Sequence, residues 1–437
     1  MGSQVAARPM LRRGVVADLL GPGGNAIGLL RFSLALLVVI HHTRVLGGFG
    51  SDPVLRFARG QADLGVFAVA GFFTISGFLV TRSAERSSLA RYLWHRALRV
   101  FPAFWVCLLV IALLFGPFFW LHDHGSLAGY ADTPDAPPLG YLANNIYLLI
   151  NQTRIDHLLA GNPYPTAING SLWTLAYEFS WYLVVAVIAA FGLLRRRAVI
   201  LGLIAFLVVS YLLSADVLGG IPILGYALTS RFGLAFSLGM AAYLWRERIP
   251  LDDRLAVVAA VVFVVTLRFG FFSTLGMAAL AYGMLWAAWR LPFRRFGSRF
   301  DLSYGVYIYA FPTQQTIALL GGHRLGAPLF LVASLVGILP LAFLSQVLVE
   351  RPALRFKDAL VVAGRLVVRP RAPRARLALA GVGDGDSNPL VDPALGFVAG
   401  HPDPANLGGV GHVRAAVGLE IEPHDLDRAD LGNPGRQ

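Results

Sequence analysis

Apolar runs of about 20 residues recur along the first 350 positions, near 27–46, 63–82, 100–121, 174–194, 198–216, 227–245, 255–270, 272–289, 302–320 and 327–349. A run of that length crosses the hydrocarbon core of a bilayer when helical. In lipid each segment has to satisfy its own backbone polar groups, which a helix does. The chain is 56% apolar and 14% charged, whereas a soluble domain carries about a quarter charged residues. These features predict an all-α polytopic membrane protein with about ten transmembrane helices, embedded in the lipid bilayer. The formal charge of +12 comes almost wholly from arginine, Lys357 being the single lysine. Those arginines sit in short segments between the apolar runs rather than on one polar face, which argues against a nucleic-acid partner. The lone Cys107 excludes an intramolecular disulfide.

Arginine placement sets the orientation. Alternate connections hold Arg8, Arg12 and Arg13, then Arg82, Arg86, Arg91, Arg96 and Arg99, then Arg195, Arg196 and Arg197, then Arg246, Arg248 and Arg254, and finally Arg290, Arg294, Arg295 and Arg299. The intervening connections are poorer in arginine. The positive-inside rule therefore places the first set, and both termini, in the cytoplasm of a multi-pass cell-membrane protein. The expected organisation is a cytoplasmic N-terminal segment over 1–24, a transmembrane domain over 25–355, and a disordered cytoplasmic tail over 372–437. The tail has one aromatic residue, Phe397, among scattered Pro, Gly and Asp, too little apolar surface to hold a core. The longest outward connection runs from about His122 to Ser171. Its stretch Y-L-A-N-N-I-Y-L-L-I at 141–150 is apolar enough to lie back against the helices.

Within this apolar frame several polar residues stand out. Arg31 and His42 lie in the first run, eleven residues apart, so both fall on one helical face about 16 Å apart along the axis. Ionisable groups inside a membrane helix are read first as functional. His42 is a candidate acid–base group, and His41 points about 100° away. The alternative is that both histidines are polar residues near the outer helix end, facing loops. Arg96 and Arg99, one turn apart before the third run, suit phosphate through their planar forks, or simply flank the membrane and meet anionic lipid. In N-G-S-L-W-T-L-A-Y-E at 169–178, Asn169 or Ser171 can cap a helix on which Ser171, Thr174 or Leu175, and Glu178 share one face. Glu178 needs a partner, and Arg31 or a protonated histidine would serve. In G-F-F-T-I-S-G-F at 71–78, the small Gly71, Ser76 and Gly77 allow close helix packing or leave room for a ligand. Glu350-Arg351-Pro352 is expected to end the last helix and tie it to its neighbours. His122-Asp123-His124 is too sparse to argue for a metal, and no metal is expected.

Taken in order, these motifs resemble the membrane-bound acyltransferase 3 family of O-acyltransferases over about residues 25–355. The resemblance rests on R-x10-H (Arg31, His42), F-F-x-I-S-G-F at 72–78, R-x-x-R (Arg96, Arg99) and N-x-S-L-W-T-L-x-x-E from Asn169 to Glu178. It continues through S-Y-G-V-Y-x-Y at 303–309 and the closing E-R-P. Many members carry a polar or His residue near the position of Ala310, and this chain departs there. The resemblance implies transfer of an acyl group, commonly acetyl, from acyl-CoA to a hydroxyl of a carbohydrate or glycosylated product. It implies catalytic roles for His42, Glu178 and Arg31, and a donor site at Arg96, Arg99 and Ser76. The competing reading is a secondary transporter exporting a glycan or small polar compound, since intramembrane Arg, His and Glu also mark proton-coupled transport. Against it, the sequence lacks paired half-repeats with broken helices.

Overall fold

The computed structural model describes residues 13–21, 24–216, 227–298 and 300–358. Residues 1–12 and the expected tail over 372–437 lie outside the described residues. All ten apolar runs are helical. They form α1 (Ile27–Leu46), α2 (Leu64–Arg86), α3 (Leu89–His124), α4 (Trp173–Ala190) and α5 (Arg197–Asp216). Then follow α6 (Ala227–Leu244), α7 (Asp253–Phe269), α8 (Phe272–Arg290), α9 (Ser303–Leu319) and α10 (Ala327–Asp358). Six of them, α1, α2, α3, α4, α8 and α10, are long and apolar enough to cross a membrane by length and composition. The protein is a multi-pass membrane protein.

Polar contacts sort the helix ends into two groups. At one end Arg31 of α1 and Arg99 of α3 both pair with Asp301 before α9, and Arg99 also reaches Glu350 of α10. The Tyr243 hydroxyl of α6 donates to Glu85 of α2, and Arg290 of α8 pairs with Asp253 of α7. A two-stranded antiparallel ladder joins β1 (Arg13–Val15) to β2 (Pro250–Asp252) on this side, and Arg13 pairs with Asp252. At the other end Asn162 is tied to Gln315 of α9, and Gln61 donates to the Thr266 and Leu267 carbonyls of α7. Successive helices therefore alternate in direction, and α1 runs parallel to α9.

Small residues set the closest approach, between α2 and α6. A Cβ on Gly77 would fall 2.0 Å from the Phe236 carbonyl oxygen, and one on Gly239 would fall 2.1 Å from that of Thr74. The F-F-T-I-S-G-F element thus supplies a packing glycine in Gly77. Helix α9 is the most enclosed, its residues Ser303 to Gln315 all buried. Gln314 uses its amide nitrogen to hold the Val39 carbonyl and the Thr43 hydroxyl of α1.

Three expectations about boundaries change. The third helix begins at Leu89, a turn and more before the apolar run, so Arg96 and Arg99 lie within it rather than ahead of it. Ser88 starts it by accepting from the Arg91 N–H, and the amphipathic first turns bury Tyr92. At the other terminus Glu350-Arg351-Pro352 does not stop α10. The helix passes through a π turn at Gln346–Glu350 and continues to Arg355, the widened turn directly before Pro352 accommodating the residue that lacks an amide donor. The long connection is also more structured than a loop. It contains a short helix, Pro138–Asn145, and buries Tyr141, Leu148, Ile155 and Ile168. Of its 141–150 stretch, Tyr147 and Leu149 face outward.

Candidate active site

An ion network closes one end of the helix assembly. Arg31 Nη1 lies 2.5 Å from Asp301 Oδ2, and Arg99 Nη2 lies 3.0 Å from the same oxygen. Arg99 Nη1 stands 3.3 Å from Glu350 Oε2. Asp301 Oδ1 accepts from both the Ser303 hydroxyl and the Ser303 N–H. Burial alone would raise the Asp301 carboxyl. Arg31 and Arg99, with the Ser303 donors, outweigh that and hold it well below the usual carboxylate range. Two cations thus meet two carboxylates, and the π turn brings Glu350 to the network. Arg31 is not paired with Glu178, contrary to the expectation. Asp301 is nearer, and it reaches Arg31 from the start of the neighbouring parallel helix.

Glu178 finds neutral partners instead. Its Oε1 accepts from the Ser76 hydroxyl at 2.7 Å and from the Tyr182 hydroxyl at 2.5 Å. Tyr182 is one turn along the same helix, so the pair is local and pre-set. Ser76, expected near the donor, is brought directly to Glu178. Neither Asn169 nor Ser171 caps α4 through its side chain; Leu172 precedes the helix without such a bond. Asn169 instead donates across to the Ile308 carbonyl of α9.

Two adjoining cavities meet around these residues. One is lined by Val69, Phe72, Phe73, Thr174, Leu175 and Tyr307 together with Arg31, Ser76, Glu178 and Tyr304. The other shares those last four and is lined further by Arg96, Arg99 and Tyr182. Arg96 lies over the Tyr182 ring, 5.6 Å from its centre, and its Nε is buried without a hydrogen-bond partner. Of the two expected donor-site arginines, Arg99 is therefore occupied by carboxylates, while Arg96 retains an unpaired donor at the mouth.

His42 lines neither cavity; it lies against Phe311, one turn of α9 beyond Tyr307. Its ring meets Phe311 edge-on at 5.1 Å, and its Nδ1 is buried without a hydrogen-bond partner. His41 turns elsewhere, as its 100° offset predicts. Its Nδ1 is 3.4 Å from Asp52 Oδ2 and 3.9 Å from Asp63 Oδ1. Arg31 and His42 both face α9, one at Asp301 and the other at Phe311, so the shared face is real. His122 pairs with Asp123, and His124 stacks on Trp120. Among the described residues no cluster of three or more His, Cys, Asp or Glu side chains could hold a metal ion.

The acyltransferase-domain family model of the acyltransferase 3 type matches residues 25–347, which include every residue of the site but Glu350. The chain belongs to that family. It is 29% identical over 336 residues to an O-acetyl transferase of Shigella phage Sf6, covering 75% of this chain and 95% of that protein. It is 28% identical over 331 residues to Nodulation protein 10 of Rhizobium leguminosarum bv. viciae, covering 69% of this chain and 85% of that protein. No solved structure matches the chain. The protein is an O-acetyltransferase-like enzyme.

In this acyltransferase, sequence reasoning missed Asp301 and Tyr182. Asp301 was detectable as the one acid in an arginine-rich connection, two residues before a serine that opens a helix. Tyr182 was detectable as the aromatic one turn after Glu178, on the same face.

Proposed function

We propose that the protein is a membrane O-acyltransferase that moves an acyl group, acetyl in the simplest case, from cytoplasmic acyl-CoA to a hydroxyl of a carbohydrate or glycosylated product. In this reading all ten helices cross the membrane and both termini are cytoplasmic. The observation that carries it is the pair of adjoining cavities between Arg96 and Tyr307, which share Arg31, Ser76 and Glu178 and which we read as one passage entered from the arginine-rich end. The anionic end of coenzyme A meets the guanidinium of Arg96, which lines the cavity at the arginine-rich end. Arg99, held by Asp301 and Glu350, adds positive potential behind it. The slender pantetheine arm occupies the passage and carries the thioester toward the level of His42. There His42 accepts the proton of the acceptor hydroxyl as that oxygen attacks. Glu178, fixed by Ser76 and Tyr182, faces the passage and balances the arginine charge within it. The name of one relative, an O-acetyl transferase, supports transfer of acetyl to oxygen.

The test is transfer of labelled acetyl from acetyl-CoA to the glycan fraction of membranes containing the protein. Acetate recovered on that fraction in an alkali-labile ester is the expected result. Movement of glycan across vesicles without acylation would replace the enzyme reading with the transporter.

A further inference from the structure

The outward end of the passage is closed by a hydroxyl cluster whose chemistry the preceding reading leaves unused. Tyr307 of α9 lines the cavity there, together with Val69 and Thr174. Its hydroxyl donates to the Ser171 carbonyl at 2.8 Å and lies against the Thr174 hydroxyl. The Ser171 carbonyl has a second donor, since the Thr174 hydroxyl also reaches it at 3.4 Å. Tyr307 can therefore turn its O–H to a new acceptor without leaving that carbonyl unsatisfied. One turn further along α9, on the same face, Phe311 carries the edge contact to His42. Phe311 thus places the imidazole about one turn of α9 beyond Tyr307, on the side toward which the acyl carbonyl would be delivered.

The other hydrogen-bond donors of the passage are committed or misplaced. Tyr304 donates to the Val100 carbonyl, Tyr182 to Glu178, and Ser76 to Glu178. Arg31 is held by Asp301 at the opposite end. We propose that the Tyr307 hydroxyl is a catalytic donor that binds the oxyanion formed on the thioester carbonyl during transfer. The inference rests on the acyl-transfer reading above. As the acceptor oxygen bonds to the carbonyl carbon, the carbonyl π pair moves onto its oxygen, which accepts from Tyr307. When the carbonyl reforms, the C–S bond breaks and the coenzyme thiolate takes the proton that His42 removed from the acceptor. The products are the ester and free coenzyme A.

The experiment uses full-length protein in phospholipid nanodiscs, with acetyl-CoA as donor and the sugar-containing fraction of the same membranes as acceptor. Released coenzyme A thiol gives turnover, and calorimetric titration with acetyl-CoA gives affinity. Tyr307→Phe removes one oxygen atom. Loss of an oxyanion donor lowers kcat by roughly 10²-fold or more, while acetyl-CoA affinity stays within about twofold of wild type. A mutant with wild-type kcat, or one that loses affinity and melting temperature in step with activity, would overturn the inference and leave Tyr307 a helix latch. Should Tyr307→Phe not fold, 3-fluorotyrosine placed at 307 keeps the ring and strengthens the donor. It should change kcat with affinity unaltered, and an unchanged kcat would equally overturn the inference. A wild-type protein that releases no coenzyme A overturns the acyl-transfer reading itself, a result distinct from either of these.

Discussion

Two neighbouring histidines on one helix have opposite surroundings, and their chemistry should differ accordingly. His42 has a buried nitrogen without a partner at the level where the passage ends, whereas His41 is satisfied by Asp52 and Asp63. His42→Ala should lower acetyl transfer by about 10²–10⁴-fold, the usual contribution of a general base. His41→Ala should cost far less activity and act mainly on stability. Comparable losses in both variants, at equal expression, would remove His42 from the chemistry. Asp301 makes a separate prediction about pH. Its carboxyl is depressed in the folded protein, so its contribution is complete above the ordinary carboxylate range and declines as pH falls toward the folded value. Melting temperature should therefore fall on acidification below about pH 4, and Asp301→Asn should flatten that fall. At neutral pH the same variant removes the carboxylate paired with Arg31 and should cost about 3 kcal/mol. A melting profile identical to wild type at both pH values would show that the network is dispensable. The sequence indicated Arg31 and His42 by phase alone, because helical geometry is fixed. It did not indicate Arg31's partner, because that lies 270 residues away and pairing at such distance depends on how the helices pack.

At the scale of elements, what was legible followed hydropathy and what was not followed polar geometry. The first helix has the expected limits, Ile27 and Leu46, because glycines and loop residues bracket a run that is apolar enough despite Arg31 and the histidines. The start of α3 was missed because its first turns are amphipathic, and a hydropathy window discounts Arg91, Arg96 and Arg99 even where the chain is helical. The continuation of α10 past Pro352 was missed because a proline reads as a stop unless the turn before it is known to be widened. The crossing of α2 and α6 gives a prediction independent of catalysis. With carbonyl oxygens from α6 and α2 against them, Gly77 and Gly239 have no room for a side chain. Gly77→Val should cost about 1–3 kcal/mol or more through overpacking, seen as a lower melting temperature in detergent. Gly202, where an added Cβ meets open space, should accept alanine with little change. Equal melting temperatures for the two variants would mean that the crossing is looser than described.

For the whole molecule, the arrangement of ends makes topology testable in a few fusions. If the arginine-rich end is cytoplasmic, reporters at Arg196 and Arg294 should register inside and those at Gly161 and His323 outside. Inversion of either pair would put the mouth at Arg96 on the side that lacks acyl-CoA. The short ladder between Arg13–Val15 and Pro250–Asp252 has a consequence for biogenesis. The segment ahead of the first helix cannot acquire its strand partner until the ribosome has polymerised through residue 252 of a 437-residue chain. Until then six helices have been handed to the membrane with that segment's strand unpaired, so closing the ladder is a late event in assembly. Nascent chains arrested short of Pro250 should leave the segment open to protease, and chains arrested well beyond Asp252 should protect it. The ladder thus acts as a timer that reports when the chain beyond the sixth helix has emerged, before the seventh is made.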